Sequence, residues 1–80
     1  MFSIGDTVII RSTSNASLNL YMKAKQHGLS YIKCPCNAKT GQTFEIKATF
    51  ASGFMLKGLN NGLLTVAHPN DLRSIHEWES

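Results

Sequence analysis

The stretch LNLYMKAKQHGLSYIKC, residues 18–34, decides how the whole chain is read. Folded back at Gln26-His27-Gly28, it sets Lys25 opposite Leu29, Lys23 opposite Tyr31 and Tyr21 opposite Lys33. Tyr21, Lys23, Lys25, Leu29, Tyr31 and Lys33 then share one face. Leu18, Leu20, Met22, Ala24, Ser30, Ile32 and Cys34 share the other. A slip of one residue mixes the two sets, so the separation specifies a β-hairpin register. Three-residue hairpin loops close on a left-handed residue, usually glycine. Gly28 would close this loop, as Gly53 and Gly62 close Ala51-Ser52-Gly53 and Asn60-Asn61-Gly62. All three glycines are therefore expected at positive φ. The competing reading of residues 18–27 is a helix capped by Ser17 and ended by Gly28. Alternation that continues on both sides of the glycine favours strands.

Outward from this segment, residues 4–11 read as a first strand with Ile4, Val8 and Ile10 on one face. Polar loops follow at 12–17 and 35–42. Phe44, Ile46, Ala48 and Phe50 then alternate with Thr43, Glu45, Lys47 and Thr49. Folding at Gly53 and Gly62 places Phe44, Ile46, Ala48, Phe50, Phe54, Leu56, Leu64 and Val66 on one continuous apolar side. The same fold puts Lys47 opposite Lys57 on the outer side. Opposed like charges cost stability unless compensated. Pro69 ends this meander, and residues 70–73 suit a single helical or 3-10 turn. Ile75 and Trp78 are expected to form a short closing strand, with Trp78 covering the core.

Eighty residues, 42% hydrophobic and 16% charged, make one globular domain rather than a disordered chain. The longest apolar run is three residues, as in Phe54-Met55-Leu56, which excludes a transmembrane helix. No basic leader or apolar h-region opens the sequence, so no signal peptide is expected, and Asn15-Ala16-Ser17 reads as a chance glycosylation pattern. Two cysteines one residue apart form no disulfide framework, and a reducing cytoplasmic setting is expected. Six or so short strands in so small a chain point to an all-β, antiparallel small barrel of five to six strands.

The opening Gly5-Asp6-Thr7-Val8-Ile9-Ile10-Arg11 resembles the first strand of SH3-like barrels, including KOW-type domains. The closing Val66-Ala67-His68-Pro69-Asn70-Asp71-Leu72-Arg73-Ser74-Ile75 is similar to the last strand, 3-10 turn and final strand of those folds. The resemblance implies a single SH3-like barrel over residues 1–80, with residues 12–40 holding an inserted hairpin.

Chemistry-bearing clusters are sparse. Cys34-Pro35-Cys36 with His27, His68 and His76 supplies the atoms of a zinc site, but paired zinc cysteines stand two to four residues apart. No metal or other cofactor is therefore expected. A disulfide within Cys-x-Cys is strained, so Cys34 reads as a small core residue and Cys36 as a free loop thiol. Two Asp and three Glu lie in no activating motif, and single glycines at turns make no phosphate loop, so no enzyme is expected.

The functional expectation is a non-catalytic binding module. Tyr21, Lys23, Lys25, Tyr31 and Lys33, helped by Lys47 and Lys57, form a basic-aromatic face. Lysines neutralise phosphates and tyrosines stack on bases, which suits nucleic acid or a nucleoprotein. The net charge of +3 points the same way. The alternative is an accessory or inhibitory module, of the kind phages and mobile elements encode, that binds an acidic protein surface.

Overall fold

A computed structural model describes residues 2–38 and 41–75. Five strands form one antiparallel sheet: β1 (Thr7–Ile10), β2 (Thr43–Phe50), β3 (Gly53–Gly58), β4 (Leu64–Ala67) and β5 (Leu72–Ser74). The order is β4-β3-β2-β1-β5, a small, mostly β, barrel-like arrangement. A 3-10 turn, Pro69–Asp71, leads from β4 into β5, one step ahead of the position expected from sequence. The expected closing strand at Ile75 and Trp78 is replaced by β5 at residues 72–74, and Trp78 lies outside the described residues. Among the described residues, no helix is long and apolar enough to cross a membrane.

The inserted hairpin of residues 18–34 is not formed. Residues Asn15–Gln26 are an α-helix, α1. No β-branched residue occurs between Thr13 and Ile32, and α1 is rich in Leu, Ala, Lys, Met and Gln, which favour helix over strand. Ser17, Leu20 and Ala24 recur at three and four residues and are all buried. Gly28 closes a helix rather than a hairpin. Its N–H donates to the Lys25 carbonyl and the Leu29 N–H donates to the Ala24 carbonyl, which is the Schellman pairing. Its φ of 85° supplies the left-handed step that this pairing needs. Strand alternation across 18–27 is thus a by-product of helical residues spaced around a terminating glycine.

The meander is present, but its faces differ from the simple alternation. Phe44↔Gly58, Glu45↔Lys57 and Ile46↔Leu56 are partners, after which the register shifts and Ala48 meets Met55. This bulge at Lys47 sends Ala48 and Phe50 to the face opposite Phe44 and Ile46. The β3–β4 connection likewise pairs Leu56 with Thr65, so Leu64 and Val66 also turn to that second face. One face now carries Val8, Ile10, Phe44, Ile46, Leu56, Ala67 and Leu72 as a core cluster. The other seats α1: Leu20, Ala24, Ile32 and Val66 form a second cluster, with Tyr21, Leu29, Phe50, Met55 and Leu64 against it. The bulge is what gives one strand an apolar residue for each layer.

The β2–β3 turn is two residues long, with Phe50 paired to Gly53. Gly53 has no positive φ; the left-handed residue is Ala51, at φ 51°. The glycine is needed for space instead. A Cβ on Gly53 would stand 2.3 Å from Leu20 Cδ1 and 2.5 Å from the Ala67 carbonyl oxygen. Gly62 does have the positive φ expected, 69°.

Asp71 fixes the start of α1. Its carboxylate accepts hydrogen bonds from the hydroxyls of Ser12 (2.8 Å), Ser14 (2.7 Å) and Ser17, and from the Ser14 N–H (3.0 Å). Ser17 Oγ in turn accepts from the His68 N–H at 2.9 Å. Burial alone would raise the Asp71 pKa, but the hydrogen bonds from Ser17, Ser14 and Ser12 outweigh it and hold the pKa at about 2. An anion beside the first turn also complements the helix dipole.

The cysteines correct another expectation. A 3-10 turn, Pro35–Asn37, brings the Cα atoms of Cys34 and Cys36 to 5.3 Å, and the two sulfurs are joined as a disulfide. Cys36 is not a free loop thiol, and the argument for a reducing setting loses its premise.

Candidate functional site

The helix redistributes the seven residues expected to form one basic-aromatic face. On α1, Tyr21 and Lys25 stand one turn apart, and the Lys25 ammonium lies 5.4 Å from the Tyr21 ring centroid. Lys25 Nζ also donates to the Ser30 carbonyl at 2.7 Å, tying the segment after the helix back onto it. Tyr31 is 53% exposed. Lys33 is exposed beside β4, where its N–H donates to the Leu64 carbonyl and its backbone forms a parallel bridge to Thr65. Lys23 points to a different side of α1, into a cleft with Ala16, Asn19 and Leu20.

Lys47 and Lys57 are elsewhere again, on β2 and β3. They are not opposite one another. Lys57 faces Glu45 across the sheet, and Lys47 in the bulge lies 3.5 Å from the same carboxylate. The compensation that opposed lysines would require is therefore already supplied within the sheet. Such exposed pairs contribute little to stability.

Sequence reasoning missed the cleft that Lys23 enters. It measures about 300 Å³ and lies between α1 and the β2–β3 turn, lined by Ala16, Asn19, Leu20, Lys23, Ala51, Ser52 and His68. Asn19 and Lys23 stand one helical turn apart, a spacing visible only once residues 15–26 are read as helix. His68 comes from the far end of the chain. It caps the Pro69–Asp71 turn, its Nδ1 accepting from the Asn70 N–H at 3.1 Å. In the neutral imidazole the other nitrogen, Nε2, then carries the proton and is a donor.

Asp71, Ser17 and His68 converge in space, but not as a nucleophile, base and orienter. Ser17 is fully buried, its hydroxyl donates to Asp71, and it meets the backbone of His68 rather than its ring. The network is a structural clamp on the α1 start. No family model matches the chain, and comparison with curated proteins and with solved structures finds no match.

Proposed function

We propose that the chain is a non-catalytic, SH3-like binding module that engages single-stranded nucleic acid through its basic surface. The reading is carried by the distribution of charge. Arg11, Lys23, Lys25, Lys33, Lys47 and Lys57 are all exposed, whereas Asp71, one of three described carboxylates, is buried inside the Ser12–Ser14–Ser17 clamp. Asp6 and Glu45 are the other described carboxylates, against these six exposed cations. A surface so weighted attracts polyanions and releases counterions on binding them. Tyr31 adds an exposed ring beside Lys33, suited to stacking on an unpaired base. The strand order, with a 3-10 turn before the last strand, supports the SH3-like part of the reading.

Anisotropy titrations of a labelled single-stranded oligonucleotide across a salt series test this. Affinity is expected to fall with a log–log slope of about 0.7 per phosphate contact. A Lys23, Lys25 and Lys33→Glu variant with an unchanged circular dichroism spectrum is expected to lose most of the binding. Absence of binding at low salt, or full binding by that variant, overturns the reading and leaves the acidic-protein alternative.

A further inference from the structure

The cleft between α1 and the β2–β3 turn has a chemical character that the general basic surface lacks. Its polar lining consists of Asn19, Lys23, Ser52 and His68, with Ala16, Leu20 and Ala51 as the apolar remainder. Among the described residues, no carboxylate lines it. Each polar side chain there has a hydrogen to give: the Lys23 ammonium, the Asn19 amide, the Ser52 hydroxyl and the His68 ring. For His68 the donor is fixed, because Nδ1 is already occupied as an acceptor for the Asn70 N–H. Asp71, the acidic residue nearest in sequence, has its carboxylate buried and engaged by Ser12, Ser14 and Ser17.

The walls are also held in place. Gly53 packs against Leu20 with no room for a Cβ, which fixes α1 against the turn. The turn itself keeps Ala51 at φ 51°, a left-handed conformation that non-glycine residues adopt at a cost. Asn19 and Lys23 project from a helix whose start is anchored through Asp71 and whose end is fixed by the Gly28 pairing. Four donor-bearing side chains from three separate chain segments thus line a space large enough for one small group.

We infer that this cleft binds a phosphate monoester carried on a nucleoside. A phosphate monoester is the anion whose three terminal oxygens accept several hydrogen bonds at once, which matches a site of donors with a lysine among them. The apolar residues Ala16, Leu20 and Ala51 offer contact to the sugar or base. The group comes either from the 5′ end of a strand or from a free mononucleotide. The first source rests on the nucleic-acid reading above, and the second does not.

The experiment has two arms on the full chain. The first compares one single-stranded oligonucleotide with a 5′-phosphate and with a 5′-hydroxyl, by anisotropy. The phosphorylated form is expected to bind about tenfold tighter, the equivalent of one charge-assisted hydrogen bond. Lys23→Gln and Asn19→Ala, both at exposed helix positions, are each expected to shrink that preference to within about twofold. Lys47→Gln, in the bulge and outside the cleft, is expected to leave it intact. The second arm follows backbone and side-chain NMR shifts on titration with adenosine 5′-monophosphate, adenosine or inorganic phosphate. Phosphate-dependent shifts at Asn19, Lys23, Ser52 and His68 without a strand-end preference assign the cleft to a free mononucleotide. Equal binding of both oligonucleotides, with no phosphate-dependent shift at those residues, overturns the inference while leaving the surface reading in force. Shifts in the cleft with no oligonucleotide binding at all overturn the surface reading and retain the cleft.

Discussion

The two faces of the sheet are built by different means. On one, Val8, Ile10, Phe44, Ile46, Leu56 and Leu72 come from four of the five strands, with Phe2, Ala38, Phe54 and Leu63 packed against them. On the other, α1 is held by a smaller cluster around Leu20, Ala24, Ile32 and Val66, and by the polar clamp on Asp71. The difference shows how a short chain covers a sheet that is apolar on both sides. It builds one layer mainly from strand residues, and holds the second with helix-borne apolar residues and hydrogen bonds at the helix start. Lys47 is the pivot, since the bulge there is what turns Ala48 and Phe50 toward the helix.

The strongest way to break this comparison is to empty each layer in turn. Phe44→Ala removes the largest fully buried side chain and is expected to cost about 3–5 kcal/mol, with loss of the whole fold in thermal melts. Leu20→Ala is expected to cost about 2–4 kcal/mol. Hydrogen exchange should then show α1 opening while β1, β2 and β5 stay protected. Equal exchange across both layers after Leu20→Ala would mean that they form one cooperative unit rather than two.

A second prediction isolates the clamp. Asp71 has a folded pKa of about 2 against an ordinary value of 3.8. Because the folded value is depressed, its contribution is fully present above pH 3.8 and is lost as pH falls toward 2. The contribution amounts to about 2 kcal/mol. Asp71→Asn is expected to lower stability at neutral pH by about that amount and to flatten the acid limb between those values. An unchanged acid limb in denaturant titrations at stepped pH would show that the helix start is held by something other than this carboxylate.

How much of this was legible in the sequence follows from which signals are local. The meander could be read because Phe44, Ile46 and Leu56 alternate and Gly62 marks a left-handed turn. The 3-10 turn could be read from Pro69 with Asn70 and Asp71. The bulge could not, because Lys47 looks like any outward residue until a helix requires Ala48 and Phe50 on the opposite side. Residues 18–34 were misread because a glycine that ends a helix and one that closes a hairpin look alike in sequence. The missing β-branched residues between Thr13 and Ile32 were the signal that separates them. The cleft was out of reach for a third reason: Asn19 and Lys23 meet Ser52 and His68 only through tertiary packing.

The smallest expected effect sharpens the contrast at the β2–β3 turn. Ala51→Gly relieves a left-handed alanine and is expected to raise stability by about 0.5 kcal/mol, read from the shift in the melting temperature. The gain is the strain removed less the added freedom of the unfolded chain. A loss of stability would show that Ala51 packs against the cleft in a way that outweighs its backbone cost.

The bridge between Lys33 and Thr65 governs how copies of this chain meet one another. A sheet edge with unpaired N–H and C=O groups invites strands from other molecules. At β4 the chain has already filled part of that edge: Lys33 donates its N–H to Leu64, and Thr65 Oγ1 donates to the Lys33 carbonyl at 2.8 Å. A foreign strand arriving there must first displace these bonds and then accommodate a lysine ammonium. The opposite edge, β5, is only three residues long and carries an exposed Arg73 at its centre. Both margins of the sheet, as described, thus discourage edge-to-edge polymerisation, while its two broad faces are already taken up by the core cluster and by α1.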